Sequence, residues 1–357
     1  MHLEELSNAF GVSSTEDAVR KIIVGAAKTY ADKLEIDTMG NVFVSRNRRV
    51  KAPGPPLRVM VTAHMDEVGF MISEITGSGL LKFKPIGGFD PRVLLGKPVV
   101  VGQERTSGII GLKPVHLLKA KEYFRVGSTD SMFIDIGAEG KAAGKVKVGD
   151  FATFATEFGY LGGQRRNRRD RGLVKGKAFD NRAGCAILLE LIKEDYPLDL
   201  VAVFTVQEEI GLRGARVASY TAAPDLAFIL ECTAADDLPR LEEEADEGIP
   251  RLGQGPAITV MDRSFIADRR LVDFLIETAV GQHLPYQFKR PGIGGTDAGA
   301  VHLAREGVPS VAVSVPARYI HAPTAVLDLS DFWHTVKLMQ AALKRLPEER
   351  RKSKKKN

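Results

Sequence analysis

The sequence predicts an α/β protein with a mainly parallel sheet, interrupted by a small inserted all-β unit. Three observations predict it. Short apolar, β-branched runs such as the one over residues 201–206 read as buried parallel strands, and they alternate with helical patterns. Over residues 73–155 the texture changes to brief runs rich in Gly, Val, Lys and Pro, separated by turn signals. Carboxylates and histidines stand where several of the apolar runs end.

The elements follow in order. Ser13 or Ser14, followed by Glu16 and Asp17, gives a capping-box pattern, and Ala18, Ile22, Ile23, Ala26 and Ala27 recur at helical spacing. Residues 40–45 read as a turn and a strand, and a basic, Pro-rich link covers residues 47–56. The strand over residues 57–63 runs into His64-Met65-Asp66-Glu67-Val68-Gly69. On an extended chain His64 and Asp66 share a face, and an Asp beside a ligating His commonly holds the ring by its second nitrogen. In the inserted unit His116, Asp130 and Asp135 read as surface or turn residues.

Beyond the insertion, a basic loop over residues 165–171 precedes a helix with Ala186, Ile187, Leu188, Leu191 and Ile192 near one face. Asp180 lies just ahead of it and reads, taken alone, as an N-cap. Glu208 and Glu209 sit where the strand starting at Val201 should end; on an extended chain they point apart and can take different tasks. The next apolar strand, residues 225–230, ends at Glu231, and an acidic loop over residues 236–247 follows. Cys185 and Cys232 read as packing residues. Residues 271–280 are helical. A glycine-rich turn containing Asp297 opens a helix ending near Arg305, and it lacks the Lys of a phosphate-binding loop. A last core strand over residues 310–315 leads to Arg318-Tyr319-Ile320-His321, and a final helix covers residues 330–345.

Composition narrows the function. At 357 residues the chain can bury a large core or form two domains. The formal charge is +5, but residues 165–171 contribute +4 and residues 350–357 contribute +6, so the rest carries +5 − 10 = −5. Such runs are usually solvated, which argues against nucleic acid as the main partner. No apolar run reaches the ~18 residues of a membrane span, and no signal peptide is evident. Two cysteines suit a reducing compartment, so the expected location is cytoplasmic.

In an open parallel sheet, ligands bind beyond the carboxyl ends of the strands. His64, Asp180, Glu209, Glu231 and His321 are therefore expected to converge there as metal ligands. Two imidazoles and three carboxylates suit zinc, cobalt or manganese. Five side chains exceed the needs of one open catalytic zinc and suffice for two ions if one carboxylate bridges.

Five motifs in order carry a family resemblance over nearly the whole chain: His64-Met-Asp66-Glu-Val-Gly-Phe, Ala178-Phe-Asp180-Asn-Arg182, Gln207-Glu208-Glu209-Ile-Gly211, Gly294-Gly-Thr-Asp297-Ala and Arg318-Tyr-Ile-His321-Ala-Pro323. The chain resembles the dinuclear-metal aminopeptidases that include glutamyl aminopeptidase and the tetrahedral (TET) aminopeptidases. The resemblance implies a three-layer α/β/α catalytic domain, residues 1–72 and 164–357, and a PDZ-like β-barrel, residues 73–163, used in oligomer contacts. It also implies two divalent ions per subunit, with Asp180 bridging, His64 and Glu231 completing one ion, and Glu209 and His321 the other. Glu208 is then the general base, and Asp66 orients His64. Glu231 departs from the family's commoner Asp. The implied partners are short peptides and further copies of the chain, as a homo-dodecamer built from dimers, with no membrane contact. A deacylase or dipeptidase on the same scaffold and a non-catalytic polyanion binder are the alternatives.

Overall fold

The computed structural model describes residues 1–50, 56–117, 127–138, 146–162, 172–238 and 249–354. The basic loop at 165–171, residues 239–247 of the acidic loop and residues 355–357 of the tail lie outside them. The chain begins with α1 (Leu3–Asn8) and α2 (Asp17–Ala27), then β1 (Lys33–Ile36), β2 (Val42–Arg46) and β3 (Arg58–His64). Six strands follow: β4 (Gly69–Ile75), β5 (Leu81–Ile86), β6 (Pro98–Val101), β7 (Thr106–Gly111), β8 (Phe133–Asp135) and β9 (Phe151–Phe154). They close into an antiparallel barrel of order β4-β5-β8-β7-β6-β9. The chain then returns through β10 (Gly159–Tyr160), β11 (Leu173–Gly176), α3 (Phe179–Leu191), β12 (Asp199–Thr205), α4 (Arg213–Ala222) and β13 (Leu226–Ala234). It ends with β14 (Ala257–Ile258), α5 (Arg269–Gly281), β15 (Gln287–Phe288), α6 (Ala298–Val301), β16 (Ser310–Arg318), β17 (Ala325–Asp328) and α7 (Leu329–Lys354).

The large sheet has the order β1-β2-β12-β3-β13-β16-β17-β11-β10, with β14 and β15 off β16. Its centre, β12-β3-β13-β16, is parallel, and the margins are antiparallel. Apart from their end residues the central strands are buried throughout, because helices cover both faces. In one layer α3 packs on β3 and β13 and touches α1, α2 and α7; in the other α4 packs on β12 and touches α6. Ala227, Phe228, Ile229 and Leu230 of β13 are wholly buried, each large side chain contributing about 1.5–3 kcal/mol. The barrel has its own core, in which Phe70 stacks on Phe89 at 5.0 Å and meets Phe83 and Phe154 edge-on at 4.9 and 5.5 Å. No helix among the described residues is long and apolar enough to cross a membrane.

Some local expectations fail. No side chain caps α2: Ser13 Oγ donates instead to Asp66 Oδ2 at 2.6 Å, and Glu16 accepts from the Ser14 and Gln207 amides. Asp180 is not an N-cap, since Ala178 holds that position with φ 54° and Asp180 itself has non-helical angles. The helix after the glycine-rich turn is only Ala298–Val301. The helix α1 carried too short an apolar pattern to be anticipated.

Only four residues separate β3 from the barrel strand β4, and Glu67 among them ties the two bodies together. Its carboxylate accepts from Lys177 Nζ at 2.7 and 2.9 Å, Arg182 Nη2 at 3.3 Å, the Gly11 amide at 3.1 Å and Thr153 Oγ1 of β9 at 2.8 Å. Arg182 further donates to the carbonyls of Met65, Leu6, Ala9 and Gly11. All three charged groups are buried, with exposures of 2%, 2% and 0% for Glu67, Lys177 and Arg182. Removing one partner of such a cluster leaves uncompensated charge. Glu67→Ala is expected to lower the unfolding free energy by about 3–5 kcal/mol, read from the shift in denaturant midpoint at unchanged slope. A loss under about 1 kcal/mol contradicts that account.

Candidate metal centre at the strand ends

The parallel register places the candidate residues. Thr205, the last residue of β12, lies opposite His64, the last of β3. Glu231 lies opposite Ser314 of β16, three residues before β13 ends, so that strand runs past the residue expected to close it. Glu208 and Glu209 are not on an extended strand. Gln207 has φ 56°, and the Gly211 and Leu212 amides donate to the Glu208 carbonyl, so a turn separates the two carboxylates.

His64 turns Nδ1 toward Asp66, 3.4 Å from Oδ1 and 3.2 Å from its carbonyl. That leaves Nε2 3.3 Å from Asp180 Oδ1 and 3.6 Å from Glu231 Oε2. His321 turns Nδ1 toward the Gly88 carbonyl at 3.2 Å, leaving Nε2 3.4 Å from Asp180 Oδ2 and 3.5 Å from Glu209 Oε1. Asp180 thus faces one imidazole with each oxygen. Among the described residues three groups bring possible ligand atoms within 4.8 Å of one another: His64, Asp180 and Glu231; Asp180, Glu209 and His321; His64, Glu208 and Glu209. All seven residues singled out from the sequence meet in this space.

The donor set fits divalent cations. Spacings of 3.3–3.6 Å are long for hydrogen bonds. They match two donors held ~2.1 Å from one tetrahedral ion, which lie ~3.4 Å apart. Among the described residues Glu231 Oε1 is buried without a hydrogen-bond partner, a costly condition for an oxygen that no cation meets.

Electrostatics point the same way. Burial, the largest influence, pushes the Glu208 carboxyl well above the usual range, and Glu231, Asp297 and Glu209 push it further. Burial likewise raises Glu209, with Asp180 and Asp66 adding to it, and raises Glu231. Burial disfavours charge on His64, yet Glu231, Asp180 and Asp66 outweigh it and hold the imidazole above its ordinary value. His321 is raised to about 9 against its own burial, by Asp180, Glu209 and the Gly88 carbonyl. Burial also works against Asp180, but the two imidazoles hold it low.

Supporting residues escaped the sequence reading. Asp66 accepts from the Glu208 and Glu209 amides at 3.0 and 3.1 Å as well as from Ser13. Glu16, raised to about 7 by burial and by Asp66, anchors the Gln207 amide. Asp297 was visible as part of a motif without a task; its Oδ2 accepts from Thr205 Oγ1 at 2.6 Å. The barrel supplies Gly88. Asp66 and Asp297 were visible in motifs and Ser13 and Glu16 in a cap-like pattern, but the partners each finds across the fold carry no signal in local spacing.

A family model described as M42 glutamyl aminopeptidase matches residues 40–338. A lysyl aminopeptidase of Pyrococcus furiosus is 32% identical over 96% of both chains. A glutamyl aminopeptidase of Lactococcus lactis is 32% identical over 98% of this chain and 96% of its own. The solved Pyrococcus horikoshii TET1 peptidase, which can assemble into a tetrahedron or a large octahedral shell, superposes with a TM-score of 0.82. It has 32% identity over 96% of this chain and 98% of its own.

Cation binding is expected to release protons. In the metal-free protein His321 is protonated below about pH 9, and Glu209 shares the upward shift, so both must deprotonate to act as ligands. Affinity therefore rises as pH climbs toward 9 and falls as it drops. Zinc titration by calorimetry in buffers of different ionisation enthalpy measures the released protons; a heat independent of buffer contradicts the shifts.

Proposed function

The chain belongs to the M42 glutamyl aminopeptidase family, and from that membership we propose that it is a two-metal aminopeptidase removing N-terminal residues from short peptides. The single observation that carries the metal reading is Asp180, whose two oxygens each face a different imidazole, with Glu231 beside one and Glu209 beside the other. His64, Asp180 and Glu231 would hold one ion and His321, Asp180 and Glu209 the second. The mixed nitrogen and oxygen donors suit zinc or cobalt, and manganese also fits. When bound, two such ions polarise a carbonyl and make a shared water acidic.

The chain's own groups do the rest. Asp66 fixes the His64 ring through Nδ1 and holds the Glu208–Glu209 turn by both amides. Glu208 lies within the cluster without belonging to either three-residue set around Asp180. Its carboxylate takes a proton from the attacking water and returns it to the leaving amine nitrogen. Such general-base help is worth roughly 10²–10⁴ in rate. Glu231 keeps the charge of the family's commoner Asp with one more methylene, and its buried free oxygen is consistent with an added reach toward the ion.

Residues 1–72 and 164–357 form the catalytic domain in this reading, and residues 73–163 form an insertion whose barrel serves contacts between copies. The assembly of the Pyrococcus horikoshii relative into a tetrahedron or octahedral shell supports a closed homo-oligomer here, which we take to be a dodecamer built from dimers. A shell of that kind admits short, unfolded peptides.

Glu208→Gln is expected to bind the same number of metal ions and to lose about 10²–10⁴ in kcat. Turnover near that of the unaltered protein, with metal content verified, removes Glu208 from the base role. Aminoacyl anilides are expected to be cleaved and N-acyl amino acids spared; the reverse pattern would establish a deacylase.

A further inference from the structure

Resting on the two-metal reading, we propose that Arg318 is a positioning residue: clasped by Asp237, it holds the turn that delivers His321 to its ion. Neither member of the pair touches the metal in this account. They act through the backbone between Arg318 and His321.

The need for a brace comes from the turn itself. Tyr319 and His321 have φ of 62° and 56°, left-handed angles that residues with a Cβ adopt at a cost. Two such residues within three persist only where the surrounding structure over-determines them. Burial does not supply that constraint. Tyr319 is 48% exposed, and the His321 side chain is 36% exposed against 2% for His64. His64 also ends a central strand with Asp66 beside its ring, whereas the His321 ring has the Gly88 carbonyl at 3.2 Å.

The flank of the turn supplies it. Strands β13 and β16 stay in parallel register as far as Ala234 and Ala317, and the Ala235 amide extends the ladder by donating to the Ala317 carbonyl at 2.9 Å. Asp237 and Arg318 stand just beyond. Arg318 donates from Nε to one Asp237 oxygen at 2.5 Å and from Nη2 to the other at 2.8 Å, a fork that fixes direction as well as distance. The same carboxylate accepts from the Leu252 amide at 3.2 Å, so it is itself held in place. The two side chains are only 24% and 12% exposed, and the guanidinium holds the Asp237 carboxyl below its usual range. Arg318 lies opposite Val326 of β17. The turn between them therefore springs from a residue whose backbone is paired and whose side chain is locked.

The test titrates zinc into the metal-free, full-length protein by calorimetry, with His321→Ala marking which binding step belongs to the second ion. Arg318→Gln is expected to weaken that step about ten- to hundredfold and to leave the other within about twofold. Asp237→Asn is expected to give the same selective loss. The double variant is expected to lose no more than the larger single loss, because either change removes the same interaction. Arg318→Lys keeps the charge without the fork; it is expected to fall between, and it serves if the Gln variant does not fold. A melting curve of each metal-free variant verifies the fold. Equal weakening of both steps overturns the proposal, since it makes the pair a general support. So does a second step that survives both single variants, or a double variant in which the two losses multiply. Failure of the unaltered protein to bind two zinc ions instead removes the two-metal reading itself, and this proposal with it.

Discussion

Several carboxylates confined in one desolvated space set the central constraint. Asp180, Glu208, Glu209 and Glu231 repel one another, and burial penalises the charge on each. Without cations the protein must retain protons there or accept strain in the arrangement. The imidazoles relieve part of the repulsion, and at Asp180 both of them act together. The site is therefore a stored electrostatic demand for positive charge, held by a fold that is stable enough to impose it.

The imposing structure is hydrogen-bonded rather than merely apolar. Asp66, wholly buried, gathers His64, Ser13 and two backbone amides around a single carboxylate. One residue further on, Glu67 joins the β3 end, the α3 entrance, the N-terminal segment and the barrel strand β9. Adjacent acids thus take opposite directions: Asp66 faces the candidate metal centre and Glu67 the framework beneath it. Parallel strands β3, β12 and β13 supply the register that lets short loops reach a common point.

Much of this was legible in the residues. The β-branched runs of β3, β12, β13 and β16 have no polar alternation because both faces are covered, so they were recognisable as central strands. The barrel was legible as a change of texture. His64 and Glu231 of the candidate cluster stand where polar residues interrupt apolar runs, whereas Asp180 and His321 lie in loops beside them. What the sequence could not reveal depends on long-range closure. Ser13 and Glu16 resemble a helix cap by spacing, yet Ser13 donates to Asp66, 53 positions on, and Glu16 serves a loop 191 positions away. The turn at Glu208 and Glu209 depends on Gln207 adopting a left-handed backbone, which a strand-like run of residues does not advertise.

The centre is gathered from distant stretches of the chain. Gly11, Ser13 and Glu16 brace it from the segment between α1 and α2, whereas His321 is delivered by the loop between β16 and β17. No local stretch can therefore assemble the cluster, and a partly folded chain keeps its donors apart.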